Sequence, residues 1–267
     1  MNASFETVTS ADGTTIAVER TGSGPPVVLV GGAFNDRSTV ADLGAVLAPD
    51  FTAVTYDRRG RGGSGDAASY AVEREIEDLA AVIGYASGPA RVFGHSSGAI
   101  LALKAAASGL DISNVAAYEP TYVIEGTRPR PADDLADRLQ ALIGQGDRAG
   151  AVALFQAEAV GLHAEIIDGM RGNPMWGWFT ALAHTLPYDT ILCGPGMRLP
   201  ADRLAAVTVP VLAIGGGASP PWLAAAARAV ADAVPTGRYV TLDGHDHGVL
   251  QQPGAHRPLL ASHFGTA

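Results

Sequence analysis

The chain has 267 residues, 47% of them hydrophobic, enough to bury one large core with room for an inserted subdomain. A net charge of −9 and a pI near 5.1 exclude a nucleic-acid groove, since neutralising phosphates needs clustered cations and Arg58-Arg59-Arg61 is too short a cluster. The single cysteine, Cys193, rules out an intrachain disulfide and fits a reducing compartment. Met1 to Arg20 is polar and alternating, unlike a signal peptide, and no apolar run reaches the roughly eighteen residues of a spanning helix, so a cytoplasmic protein without a membrane partner is expected.

In chain order, Phe5 to Arg20 alternates around Asp12-Gly13, a hairpin signal. Pro26 to Val30 is a short apolar run ending in Gly31-Gly32, as expected of a strand buried on both faces. Ser38 to Leu47 reads as a helix with Ser38 as its N-cap and Pro49 just past its end. Phe51 to Tyr56 is the next strand, running into the polar loop Asp57 to Gly65. Val72 to Tyr85 is an amphipathic helix with Val72, Ile76, Leu79 and Ile83 on one face. A strand at Ala90–Phe93, a helix at Ala99–Ala107 and a strand at Val115–Tyr118 follow.

From Thr121 to about Pro200 no strand pattern appears, only helical stretches such as Asp133–Ile143 and Ala149–Val160 broken by Asn173-Pro174 and Leu186-Pro187. Alternation resumes with a strand at Pro210–Ile214, a helix from about Pro221 to Val234, a strand at Arg238–Leu242 and a last helix from Gly248 to Leu260. Strands alternating with helices imply an α/β fold, a mostly parallel twisted sheet flanked by helices. Residues 1–120 and 201–267 would form that core, and residues 121–200 a helical cap inserted at the C-terminal ends of the strands.

The most informative stretch is Gly94-His95-Ser96-Ser97-Gly98, between a strand and a helix. So sharp a reversal needs small residues at its flanks, and it lifts the central serine above the sheet edge beside the first amides of the helix. A serine hydroxyl is a weak nucleophile without a base to take its proton. Among seven histidines, His247 has the strongest claim, on a glycine-containing loop after the last strand, and His245 two residues away is the alternative. No metal-ligand spacing is present, and the glycine-rich Asp57–Gly65 loop lacks the Lys-Ser/Thr of a nucleotide cradle, so neither metal nor cofactor is expected.

Together these residues resemble the α/β-hydrolase fold family over nearly the whole chain. The family's nucleophile elbow is matched by Gly94–Gly98, its D-x-R-G-x-G-x-S loop by Asp57 to Ser64, and its G-x-x-H loop by Gly244-His245-Asp246-His247. The resemblance implies a Ser96–His247 pair, but the loop where the family usually carries its aspartate, Gly215-Gly216-Gly217-Ala218-Ser219-Pro220, holds no carboxylate. Some members carry the acid one strand earlier, and Glu119 stands there; the alternatives are a merely structural Glu119, with Asp243 or Asp246 as the acid. The resemblance further implies an oxyanion hole of backbone N–H groups from Ser97 and from Ala33 or Phe34, although Gly31 replaces the family's usual histidine in that loop.

Phe34, Met175, Trp176, Trp178 and Tyr188 are candidates to line an apolar pocket, with simple packing of the cap as the other reading. The implied activity is a serine hydrolase cleaving a small, largely apolar ester, thioester or lactone through an acyl-enzyme. C–C bond hydrolysis, acyl transfer, perhydrolysis and non-catalytic ligand binding are the alternatives. The partner expected is a small-molecule substrate, and a homodimer is compatible with the sequence.

Overall fold

The computed structural model describes residues 5–265; the polar start read at Met1 to Ser4 lies outside the described residues. The chain runs β1 (Glu6–Thr9), β2 (Thr15–Thr21), β3 (Pro26–Val30), α1 (Ala41–Leu47), β4 (Thr52–Tyr56), α2 (Val72–Ala86), β5 (Ala90–His95), α3 (Ser97–Ala107) and β6 (Ile112–Tyr118). After β6 come α4 (Leu135–Gly144), α5 (Arg148–Phe155), α6 (Ala164–Arg171), α7 (Met175–Leu182), α8 (Leu186–Cys193) and α9 (Ala201–Leu204). The sheet resumes with β7 (Val211–Gly216), α10 (Pro221–Ala233), β8 (Gly237–Leu242) and α11 (Arg257–Phe264). No described helix is long and apolar enough to cross a membrane.

One eight-stranded sheet has the order β1-β2-β4-β3-β5-β6-β7-β8. The hairpin β1–β2 and the β2–β4 pair are antiparallel; every pair from β4 to β8 is parallel. Alternation along the strands divides the core. Val28, Val30, Val54, Val92, Val115 and Val211 face α2, α3 and α10, whereas Val27, Leu29, Phe93, Ala116, Leu212 and Ile214 face α1 and α11. Both faces are covered, which is why these strands read as continuous apolar runs. Each fully buried Val, Leu, Ile or Phe contributes about 1.5–3 kcal/mol.

Two expectations need correction. The helix after β3 begins as a 3-10 turn at Arg37–Val40, capped by Asp36, whose Oδ1 accepts from the Ser38 amide at 2.9 Å and from the Ser38 hydroxyl at 2.6 Å; Ser38 is the capped residue, not the cap. Asp and Ser are comparable N-caps, so two adjacent candidates leave the register open in sequence. The last helix is not continuous from Gly248. Two 3-10 turns at Val249–Gln251 and Pro253–Ala255 precede α11, because Pro253 lacks an amide and restricts the residue before it.

All six parallel strands end on one edge of the sheet, so the segments after β3, β4, β5, β6, β7 and β8 meet there. Residues 121–200 contain no strand and return to this edge: Trp178, His184 and Asp189 bond to Phe34, Gly60 and Ser97, which follow β3, β4 and β5.

Candidate active site

Ser96 sits between β5 and α3 with φ 58° and ψ −123°, a conformation rare outside glycine and costing about 1–3 kcal/mol. The flanking glycines permit it. A Cβ on Gly94 would stand 2.4 Å from the Gly98 carbonyl oxygen, and one on Gly98 would stand 2.4 Å from that of Val30. Gly32 approaches from the other side, where a Cβ would lie 2.7 Å from Ser96 Cβ. Ser96 is 8% exposed, at the strand-end edge.

Glu119 follows β6 directly, is fully buried, and also has a positive φ of 45°. That turn aims its carboxylate along the sheet edge. Oε2 meets His247 Nδ1 at 2.6 Å, and Oε1 accepts from the Gly216 amide at 2.8 Å. Thus the last residue of β7, just before a loop that has no carboxylate of its own, supplies a backbone N–H that holds the carboxylate following β6. The His247 ring is 38% exposed, with one nitrogen committed to Glu119. A carboxylate at Nδ1 fixes the tautomer with the proton there and leaves Nε2 as a base. His247 Nε2 and Ser96 Oγ hydrogen-bond to no protein group among the described residues. Hydrogen bonds of this kind commonly tighten only when substrate arrives.

The loop bearing His247 is pinned from below by two side chains that the sequence reading did not single out. Tyr118 donates its hydroxyl to the Asp246 carbonyl at 2.7 Å, and His95 Nε2 donates to the His247 carbonyl at 2.9 Å. Burial, followed by the neighbouring His247, drives the His95 pKa well below the usual imidazole value, so His95 is a neutral donor. The alternatives weighed in sequence lie elsewhere: Asp246 Oδ1 accepts from the Gly248 amide, Asp243 is exposed, and His245 Nδ1 is buried without a partner among the described residues. The Glu119 carboxylate is therefore paired with His247.

Around Ser96, two groups of amides lack protein acceptors. Ser97 opens α3, so its N–H has no intrahelical partner. The N–H groups of Ala33 and Phe34 likewise donate to no protein acceptor among the described residues. Their loop is held by Gly32 N–H donating to Asn35 Oδ1 at 2.9 Å, and Phe34 takes a φ of 60°.

The aromatic candidates separate. The Phe34 ring packs on Phe179 at 4.4 Å and Phe155 at 5.6 Å between centroids, and the Trp178 indole N–H donates to the Phe34 carbonyl at 2.7 Å. Trp176 is half-buried beneath the Arg171 guanidinium, while Met175 is exposed at the start of α7. Tyr188 stacks on Tyr70 at 4.4 Å and donates to Asp66 Oδ2 at 3.0 Å, which commits it to the loop after β4.

The largest feature missed in sequence is a buried ion cluster. Arg58 pairs with Glu75 at 2.6 Å and with Asp189 of α8 at 2.8 Å, and Arg61 pairs with the other Asp189 oxygen at 2.8 Å. All four side chains are at most 2% exposed. Burial opposes the charges, but the arginines outweigh it and hold both carboxyls below the usual range. The available signal was three arginines in one loop of an acidic chain, and Glu75 and Asp78 near the apolar stripe of α2.

A profile of the alpha/beta hydrolase family matches residues 27–255. The crystal structure of an alpha/beta hydrolase from Sphaerobacter thermophilus is 50% identical, superposes with a TM-score of 0.91, and covers 97% of this chain and 100% of its own. A Mycobacterium tuberculosis protein provisionally named non-heme bromoperoxidase BpoC is 26% identical over 94% of this chain and 98% of its own length. An enol-lactonase from Burkholderia xenovorans, 19% identical with a TM-score of 0.72 over 98% of this chain and 99% of its own, shares the fold. With the family's pattern running through most of its length and its sheet order and strand-edge loops in place, this chain belongs to the α/β-hydrolase family.

Proposed function

We propose that this protein is a serine hydrolase acting on a small, uncharged, largely apolar ester, thioester or lactone. The observation that carries the reading is the Glu119–His247 bond of 2.6 Å on the same sheet edge as the strained Ser96 elbow. His247 Nε2 takes the Ser96 proton as Oγ attacks the substrate carbonyl, and Glu119 stabilises the imidazolium that results. The oxyanion of the tetrahedral intermediate accepts from the Ser97 amide and from Ala33, with Phe34 next in line; each such donor is worth about 10²–10³ in rate. His247 then protonates the leaving oxygen or sulfur. Water, deprotonated by the same nitrogen, resolves the acyl-enzyme and returns Ser96. The Phe34–Phe155–Phe179 cluster supports an apolar acyl group, and the arginines nearby are already neutralised by Glu75 and Asp189.

The test is covalent labelling with a fluorophosphonate, with the adduct mapped to Ser96, together with turnover of p-nitrophenyl acetate that disappears in Ser96→Ala. A folded protein that neither labels nor turns over esters would instead be a non-catalytic ligand binder. The bromoperoxidase-named relative favours one second outcome from the same acyl-enzyme: hydrogen peroxide in place of water would take the acyl group as a peracid. Peracid release from an acetate ester with added peroxide distinguishes the two.

A further inference from the structure

Asp189 belongs to the helical insertion, yet its carboxylate joins side chains that reach the backbone on both sides of Ser96. Its Oδ1 accepts from the Ser97 hydroxyl at 2.7 Å and from Arg58 at 2.8 Å, and its Oδ2 accepts from Arg61 at 2.8 Å. The second arm of Arg61 donates to the Gly32 carbonyl at 2.5 Å and the Asn35 carbonyl at 3.2 Å, and Arg58 reaches the Gly31 carbonyl at 3.4 Å. The Gly32 carbonyl and the Ala33 N–H are the two ends of one planar trans peptide, so they point in opposite directions. A guanidinium gripping the oxygen therefore aims the N–H away from Arg61 and polarises it, making it a stronger donor.

We propose that Asp189 is a positioning residue for oxyanion stabilisation, acting through Arg61 on the Gly32–Ala33 peptide and through the Ser97 hydroxyl on the first turn of α3. This rests on the serine-hydrolase reading for its kinetic consequence, but not for its structural one. It makes Ala33, rather than Phe34, the second oxyanion donor. It also makes the insertion part of the catalytic geometry in addition to a roof over the substrate. Arg58, clamped by Glu75 at two points of 2.6 Å, keeps the cluster at two positive and two negative charges, so the carboxylate can remain ionised out of water.

The test compares Asp189→Asn, Arg61→Lys and Ser97→Ala with the parent by saturation kinetics on p-nitrophenyl acetate and by amide hydrogen exchange of residues 30–36 and 97–99. Lysine keeps the charge at 61 but cannot fork between a carboxylate and a carbonyl. The expected result for Asp189→Asn and Arg61→Lys is a kcat lower by about 10- to 100-fold, with KM within about twofold and the pH midpoint of kcat/KM unmoved. Faster exchange in residues 30–36 should accompany the loss, and Ser97→Ala should show a smaller loss with faster exchange confined to 97–99. The proposal is overturned by folded variants whose kcat stays within about twofold of the parent, by a loss residing wholly in KM, or by unchanged exchange in residues 30–36. If Asp189→Asn does not fold, Arg61→Lys decides. A parent that resists fluorophosphonate sinks the hydrolase reading instead, and the exchange arm still shows whether Asp189 holds the loop.

Discussion

Glu119 shows how one residue's place depends on several weak features acting together. Its backbone is strained, its side chain is wholly out of water, and its two oxygens have one partner each, Gly216 and His247. In Glu119→Gln the single side-chain oxygen can accept either from the Gly216 N–H, which turns the NH2 towards His247, or from His247, which gives up Gly216; in both cases the imidazolium loses its counter-charge. Steady-state turnover of p-nitrophenyl acetate should fall by about 10³-fold. Ser96 offers the converse case. Because its φ of 58° is costly for a residue with a Cβ, Ser96→Gly should abolish turnover while stabilising the fold by about 1 kcal/mol, read as a higher urea midpoint at unchanged slope. A lower midpoint would show that what the serine side chain contributes to folding outweighs the strain of the elbow.

At the scale of elements, the elbow and the loop after β3 are one packed unit. Gly98→Ala pushes a methyl group to within 2.6 Å of the Gly31 carbonyl oxygen, so α3 and the loop must separate. The expected cost is about 1–3 kcal/mol in urea unfolding, with turnover falling further than that loss of folded protein explains. The strands and the hairpin were legible because an apolar run or a strict alternation is a local signal, and Pro26–Val30 ends where the run ends. The elbow was legible because backbone sterics demand glycine on both sides of Ser96. Glu119 stood out only through the family resemblance, since the loop after β7 lacks a carboxylate and some members carry the acid one strand earlier, and Asp243 and Asp246 stayed open beside it. The Arg58–Asp189 pair was not legible: its members are 131 residues apart, and no periodicity connects a loop arginine with an aspartate on a helix of the insertion. Nor was the break before α11, where a proline interrupts an otherwise helical composition.

Across the whole molecule, buried imidazoles couple stability to pH. His256 lies edge-on to both Phe93 and Tyr118 at 5.1 Å, its nitrogens unpartnered among the described residues, and burial, followed by the nearby His245, lowers its pKa to about 4. An unfolded chain binds that proton near pH 6.5, so the contribution is complete above 6.5 and is lost as pH falls towards 4, by about 3 kcal/mol. The urea midpoint should decline across that window and decline less in His256→Leu. Cys193 provides an independent measure of opening. Burial pushes its thiol pKa up to about 12, and it lies on α8 four residues from Asp189, so a disulfide reagent should modify it only at the rate at which the insertion or the whole fold opens. Rapid modification of the native protein would show that α8 leaves its seat without global unfolding.

The pairing of β7 with β8 does not stop where the strands end. The amide of Gly217 goes on to the Leu242 carbonyl and that of Ala218 to the His245 carbonyl, so the turn that carries the imidazole is tied down by main-chain atoms common to nearly all amino acids. Ala218 is exposed and its side chain can drift through evolution while the scaffold beneath it stays put, whereas a Cβ at Gly217 would stand 3.0 Å from the Asp243 Cα, which holds that position to glycine. Descendants of this chain could therefore differ at 218, but not at the neighbouring glycine, and still present the ring in the same place.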